Sequence, residues 1–78
     1  MEDNRGALIL EILRIDAPTW SQGGMGISSI ANRATFKHNT PLSYQQVRRV
    51  IFRFVQNGIA EGFKHPDAMG ITKYRLKA

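Results

Sequence analysis

The residues best equipped for chemistry crowd into one stretch, "SYQQVRRVIFRFVQNG", where Gln45, Gln46, Arg48, Arg49 and Arg53 offer two carboxamides and three guanidinium groups. Wound at about 100° per residue, Gln45, Arg48, Arg49, Phe52, Arg53 and Gln56 share one face of a helix. Tyr44, Val47, Val50, Ile51, Phe54 and Val55 share the other. An α-helix fits the major groove of B-DNA, where Arg pairs with guanine O6 and N7 and Gln with adenine N6 and N7 through two hydrogen bonds each. A merely solvated basic face has the same composition, so the rest of the chain decides between the two.

The remaining reactive groups do not form a catalytic or metal set. His38, His65 and Asp67 lack ligand spacing, and no nucleophile has a base beside it. There is no cysteine, hence no disulfide framework and no thiolate metal site. The "GGMG" at Gly23 to Gly26 fits neither phosphate-binding glycine pattern, and it reads as flexible-loop glycine. The "HPD" at His65 to Asp67 coincides with the tripeptide of J-domain cochaperones, which carry it between two long helices. Here only 11 residues follow it, and they alternate like a strand. Neither an enzyme nor a cofactor nor a metal is expected.

Charge is distributed unevenly. Residues 1–20 hold four carboxylates against Arg5 and Arg14, a net of −2, whereas residues 21–78 hold nine Lys or Arg against Glu61 and Asp67, a net of +7. A polyanionic partner is the physical reading of such asymmetry. At 78 residues the chain is read as one domain, 1–78, with room for three helices and a small sheet. Its longest apolar run, "ALIL", is far too short to span a bilayer, so a soluble cytoplasmic protein with no membrane contact is expected.

Four elements must position the basic stretch. Helix 1 is expected over 5–15, capped by Asp3 or Asn4, with Leu8, Ile9, Ile12, Leu13 and Ile15 inward and Leu10 left outside the stripe. "APTWSQGGMG" reads as a loop or turn region. Helix 2 is expected over 28–35, capped by Ser28 or Ser29, with Ile30, Ala31 and Ala34 inward and Asn32 and Arg33 outward. The basic helix is expected over 43–57. Ser43 and Gln46 have capping-box spacing there, with Leu42 and Val47 at the staple positions, and Asn57-Gly58 offers a left-handed stop. Over 59–77 the period becomes extended, giving a hairpin around "PDAMG" in which Thr72, Tyr74 and Leu76 alternate with Lys73, Arg75 and Lys77.

The order helix, short helix, turn, basic helix, glycine, hairpin resembles the winged helix-turn-helix family of DNA-binding domains. "ISSIANRA", "VRRVIFRFVQNGIAEG" and "YRL" carry the resemblance, with Val47, Arg49, Ile51, Phe54, Gly58 and Ile59 on the pattern of the family's third helix and its exit into the wing. The resemblance implies an α+β winged helix-turn-helix of three helices and a two-stranded wing. It also implies sequence-specific binding of double-stranded DNA by a small transcriptional regulator. The link "TFKHNTPLS" departs from the family's tight turn of three or four residues.

Carried onto this chain, Gln45, Gln46, Arg48 and Arg49 stand where a recognition helix meets base edges, Tyr44 joins them as a DNA-contact candidate, and Arg53 lies further along toward phosphate. Ser28, Ser29, Asn32, Arg33, Lys37 and His38 become candidates for backbone contacts, and Lys64, His65, Lys73 and Arg75 for the wing. Leu10 becomes a candidate homodimer contact through helix 1. The alternative class is a winged helix used as a protein-interaction module, for which Phe52 speaks because it interrupts the polar face. Phe52 is expected to tuck beneath the wing.

Overall fold

In the computed structural model, which describes residues 4–77, helix α1 runs from Asn4 to Glu11 and then loosens into a wider turn over Ile12–Asp16. There the Ala17 N–H bonds back to Ile12 O, one residue further than in an α-helix. This overturns part of the expected phase. A wide turn advances the side chains by a smaller angle per residue, so Asp16 and Ala17 come inward behind Ile12 and Leu13 while Ile15 is swung half-exposed into solvent. Asp3, one of the two expected caps, lies outside the described residues, and Asn4 is already helical.

Two short 3₁₀ turns, Ala17–Thr19 and Ser21–Gly23, lead to the glycine-rich segment, where the flexible-loop reading of the glycines is corrected. Gly24, Met25 and Gly26 are buried, and Met25 exchanges both backbone hydrogen bonds with Tyr74, at 3.0 and 2.8 Å. The segment thus adds a strand-like third edge to the wing. Gly24 serves close approach: a Cβ there would lie 2.7 Å from the Phe63 ring and 3.1 Å from Tyr74 O.

Helix α2, Ile27–Phe36, starts one residue before the expected caps. Gly26 is its N-cap, and neither Ser28 nor Ser29 caps it, because both lie within the first turn. Ile27, Ile30, Ala31 and Ala34 are buried as one stripe, while Asn32 is exposed. The long link to the next helix is held by its own bonds: Thr40 N–H donates to Ala34 O at 2.9 Å and Leu42 N–H to Thr35 Oγ1 at 3.4 Å.

Helix α3, Tyr44–Gln56, has the full capping box, with Gln46 N–H donating to Ser43 Oγ at 3.2 Å and Ser43 N–H to Gln46 Oε1 at 2.9 Å. It ends as expected at Asn57 with Gly58 at φ +72°, where a side chain would be strained. Val47 and Ile51 are fully buried between α1, α2 and the hairpin, each contributing about 1.5–3 kcal/mol of hydrophobic stabilisation. Tyr44 and Val55 do not join them. Both stay partly exposed on the flank of α3 that faces the hairpin across an open cleft.

Strands β1, Ala60–Lys64, and β2, Thr72–Leu76, pair antiparallel with Gly62 opposite Tyr74. The connection is a 3₁₀ turn, Pro66–Ala68, followed by Met69 and Gly70 with positive φ. The architecture is therefore α+β, three helices followed by a two-stranded antiparallel hairpin, in the layout of a winged helix. No helix among the described residues is long and apolar enough to cross a membrane.

Candidate nucleic-acid interface

The outward side of α3 is built by the capping box at one end and the buried Val47 and Ile51 behind it, which together set the helical phase. Gln45, Arg48, Arg49, Arg53 and Gln56 are all exposed there. The Arg49 and Arg53 guanidinium groups make neither a hydrogen bond nor an ion pair among the described residues. Arg48 lays its guanidinium over the Phe52 ring, 4.5 Å from the centroid, which steers it toward the hairpin. Gln46 is the exception, because its carboxamide oxygen is engaged at Ser43 N–H in the cap. Phe52 is 41 % exposed: it lines the cleft against the hairpin instead of tucking fully beneath it.

The basic side chains of α2 have a different situation. Asp16, delivered inward by the wide turn of α1, is only 4 % exposed and gathers three of the expected phosphate contacts around its carboxylate. Lys37 Nζ donates to Oδ1 at 2.7 Å, Arg33 Nε lies 3.4 Å from Oδ2, and His38 Nε2 lies 3.7 Å from Oδ2. Arg33 also stacks over Trp20. Burial pushes the Asp16 carboxyl up, but the hydrogen bonds and charges of Lys37 and Arg33 outweigh it and hold the group below its usual range. These cations close a structural ion cluster, which leaves Ser28 exposed, Ser29 half-buried and Asn32 exposed as the free polar groups of this helix's outer side.

The wing is likewise partly self-neutralised. Lys73 Nζ donates to Ser21 O at 2.8 Å and lies 3.4 Å from Gly24 O. Arg75 Nε donates to Glu61 Oε2 at 2.7 Å, and its guanidinium covers the Phe63 ring. His65 Nδ1 accepts from Asp67 N–H and caps the turn. Lys64 is exposed and has no partner among the described residues.

Two residues escaped sequence reasoning. Asp16 sits four positions after Ile12, a signal legible only to a reader who knew that the helix widens there. Tyr74 was placed on the apolar face of its strand, as it is, and it also lines the cleft between α2, α3 and the hairpin. That cleft, of about 500 Å³, is lined on three sides by the start of α2, by Tyr44, Arg48 and Phe52, and by residues 70–74.

Compared with models of known protein families and with curated proteins, the sequence matches none.

Proposed function

We propose that the chain is a sequence-specific double-stranded DNA-binding protein, a small transcriptional regulator working on the nucleoid in the cytoplasm. It sets α3 in the major groove, with the hairpin as its wing. One observation carries this reading: Arg49 and Arg53 stand exposed and unpartnered on the outward face of α3, while the basic side chains of α2 are committed to Asp16. Guanidinium groups without an internal acceptor are the ones available to guanine edges and phosphates. Protein docking, the second reading, rests on the half-exposed Phe52 beside Val55 and Phe63.

Duplex-binding measurements on a selected site and on random sequence test the assignment. Arg49→Ala or Gln45→Ala is expected to cost about 1–3 kcal/mol on the preferred site and to relax specificity at one position. Lys64→Ala is expected to weaken all duplexes alike and to lower the slope of log K against log salt by about 1. Uniform weakening by the α3 variants would reassign them to phosphate. Absence of any retention on DNA, combined with salt-resistant capture of one protein, would replace the DNA reading by the docking one.

A homodimer completes the proposal. Leu10 is 36 % exposed on α1, outside the buried stripe, and a two-fold pairing there presents two α3 helices to half-sites about 34 Å apart. Leu10→Glu is expected to move sedimentation from dimer to monomer and to weaken operator binding while leaving the fold, read by circular dichroism, intact. A wild-type monomer at high concentration that selects a single half-site would exclude the pairing.

A further inference from the structure

Arg49 and Arg53 occupy one side of α3, and a different side of the same helix faces the hairpin. About 100° back around the helix from Arg49, Tyr44, Arg48, Phe52 and Val55 fall in a single stripe. Between this stripe and the hairpin runs one groove, formed by two clefts that share Phe52, Thr72 and Tyr74. It stays open over β1 because Gly62 has no side chain; a Cβ there would lie only 3.0 Å from the Tyr74 ring. Tyr44, Phe52 and Val55 from α3 and Ile71 from the hairpin are all exposed along it. A contiguous apolar surface of this kind marks a place where a partner displaces water.

The edges of the groove have the opposite character. Arg48 and Lys64 line it, and neither meets a carboxylate among the described residues. The described carboxylates are committed elsewhere: Asp16 to the cations of α2, Glu61 to Arg75, Glu11 to Arg14, and Asp67 beside His65. A phosphate backbone answers the cations but makes no use of the apolar surface. An uncharged apolar segment answers the surface but leaves the cations without an acceptor. Only an occupant that is apolar on one side and acidic on its flanks satisfies both.

We propose that this groove docks an acidic amphipathic helix of a partner protein, with its apolar face against Phe52, Val55 and Ile71 and its carboxylates on Arg48 and Lys64. At 1.5 Å per residue the stripe from Tyr44 to Val55 is about 17 Å long, room for three helical turns that present apolar side chains at i, i+3 or i+4, and i+7. Apart from Arg48, the partner takes a side of α3 that duplex binding does not use. Its docking therefore rests on the protein-interaction reading and stands or falls independently of DNA.

The test is fluorescence anisotropy of a labelled synthetic helix of three turns, Leu on one face and Glu on the other, titrated with the whole chain. Saturable binding is expected. Val55→Ser and Ile71→Ser remove apolar surface from two different elements at exposed positions, where the fold tolerates change. Each is expected to weaken the peptide about tenfold with a native circular dichroism spectrum. A scrambled peptide of the same composition keeps the charge and loses the apolar face, and it is expected to bind at least about tenfold more weakly. A peptide with Lys in place of Glu is expected not to bind. Anisotropy that never saturates, a scrambled or Lys peptide that binds as well as the amphipathic one, or indifference to both serine variants overturns the docking site. A duplex arm separates the two readings. Peptide bound as expected, with no duplex retained, keeps the site and removes the DNA reading. Duplex weakened by Arg49→Ala, with no saturable peptide, keeps the DNA reading and overturns the site. Duplex weakened by the serine variants as much as by Arg49→Ala, again with no saturable peptide, gives the groove to nucleic acid and overturns the proposal.

Discussion

Replacing Arg33 and Lys37 together by methionine is expected to lower the unfolding free energy by about 3–5 kcal/mol, because it strands the Asp16 carboxylate in the interior without its cations. Asp16→Asn is expected to cost less, about 1–3 kcal/mol. The asymmetry is physical: the Lys37 and Arg33 side chains reach solvent and can hydrate when the acid is removed, whereas Asp16 cannot. The acid limb of stability carries the same signature. The folded carboxyl lies below its ordinary value, near about 3.9 in an unfolded chain. Its contribution is therefore fully present above that value and is lost as pH falls through the lower, folded one. Without the two cations only burial acts, the shift reverses, and acid unfolding begins at higher pH. Urea melts at pH 7 and pH 3 measure both effects. A loss under 1 kcal/mol in the double variant would mean that water reaches Asp16.

Ile51→Ala is expected to be the other large loss, about 2–5 kcal/mol, since Ile51 is fully buried where α3 meets the rest of the core and a cavity would remain. A chain of 78 residues has a total stability of roughly 4–12 kcal/mol at the usual 0.05–0.15 kcal/mol per residue, so this single change removes a large fraction of it. Arg49→Ala, two positions earlier but on the outward face, is expected to change stability by less than about 0.5 kcal/mol. Denaturation midpoints of the two variants side by side separate the helix face that folds from the face assigned to binding. Equal losses would contradict the phase of α3 on which the proposed interface depends.

That phase was legible before any coordinates, because Ser43, Gln46, Asn57 and Gly58 are local signals: a cap and a left-handed stop act between residues three or four apart. The hairpin was legible for the same reason, from a period of two and a turn of Pro, Asp and Gly. Wrong phase was assigned where the backbone leaves the ideal period. Ile15 fits an α-helical stripe and turns outward only because Ile12–Asp16 winds more widely. Gly24 to Gly26 look like loop residues, and their role is set by Phe63 and Tyr74, distant in the chain and close in space.

The sequence by itself determined the element order, the faces of α2 and α3 and the basic balance of the last 58 residues, since these follow from short-range periodicity, caps and composition. Only the tertiary structure decided which cations are free. Lys37 meets Asp16 across 21 residues, Arg75 meets Glu61 across 14, and Lys73 reaches back 52 residues to Ser21. A charge reads the same in sequence whether it faces solvent or a buried carboxylate. Coulombic pairing depends on distance in space, and no local pattern encodes that distance.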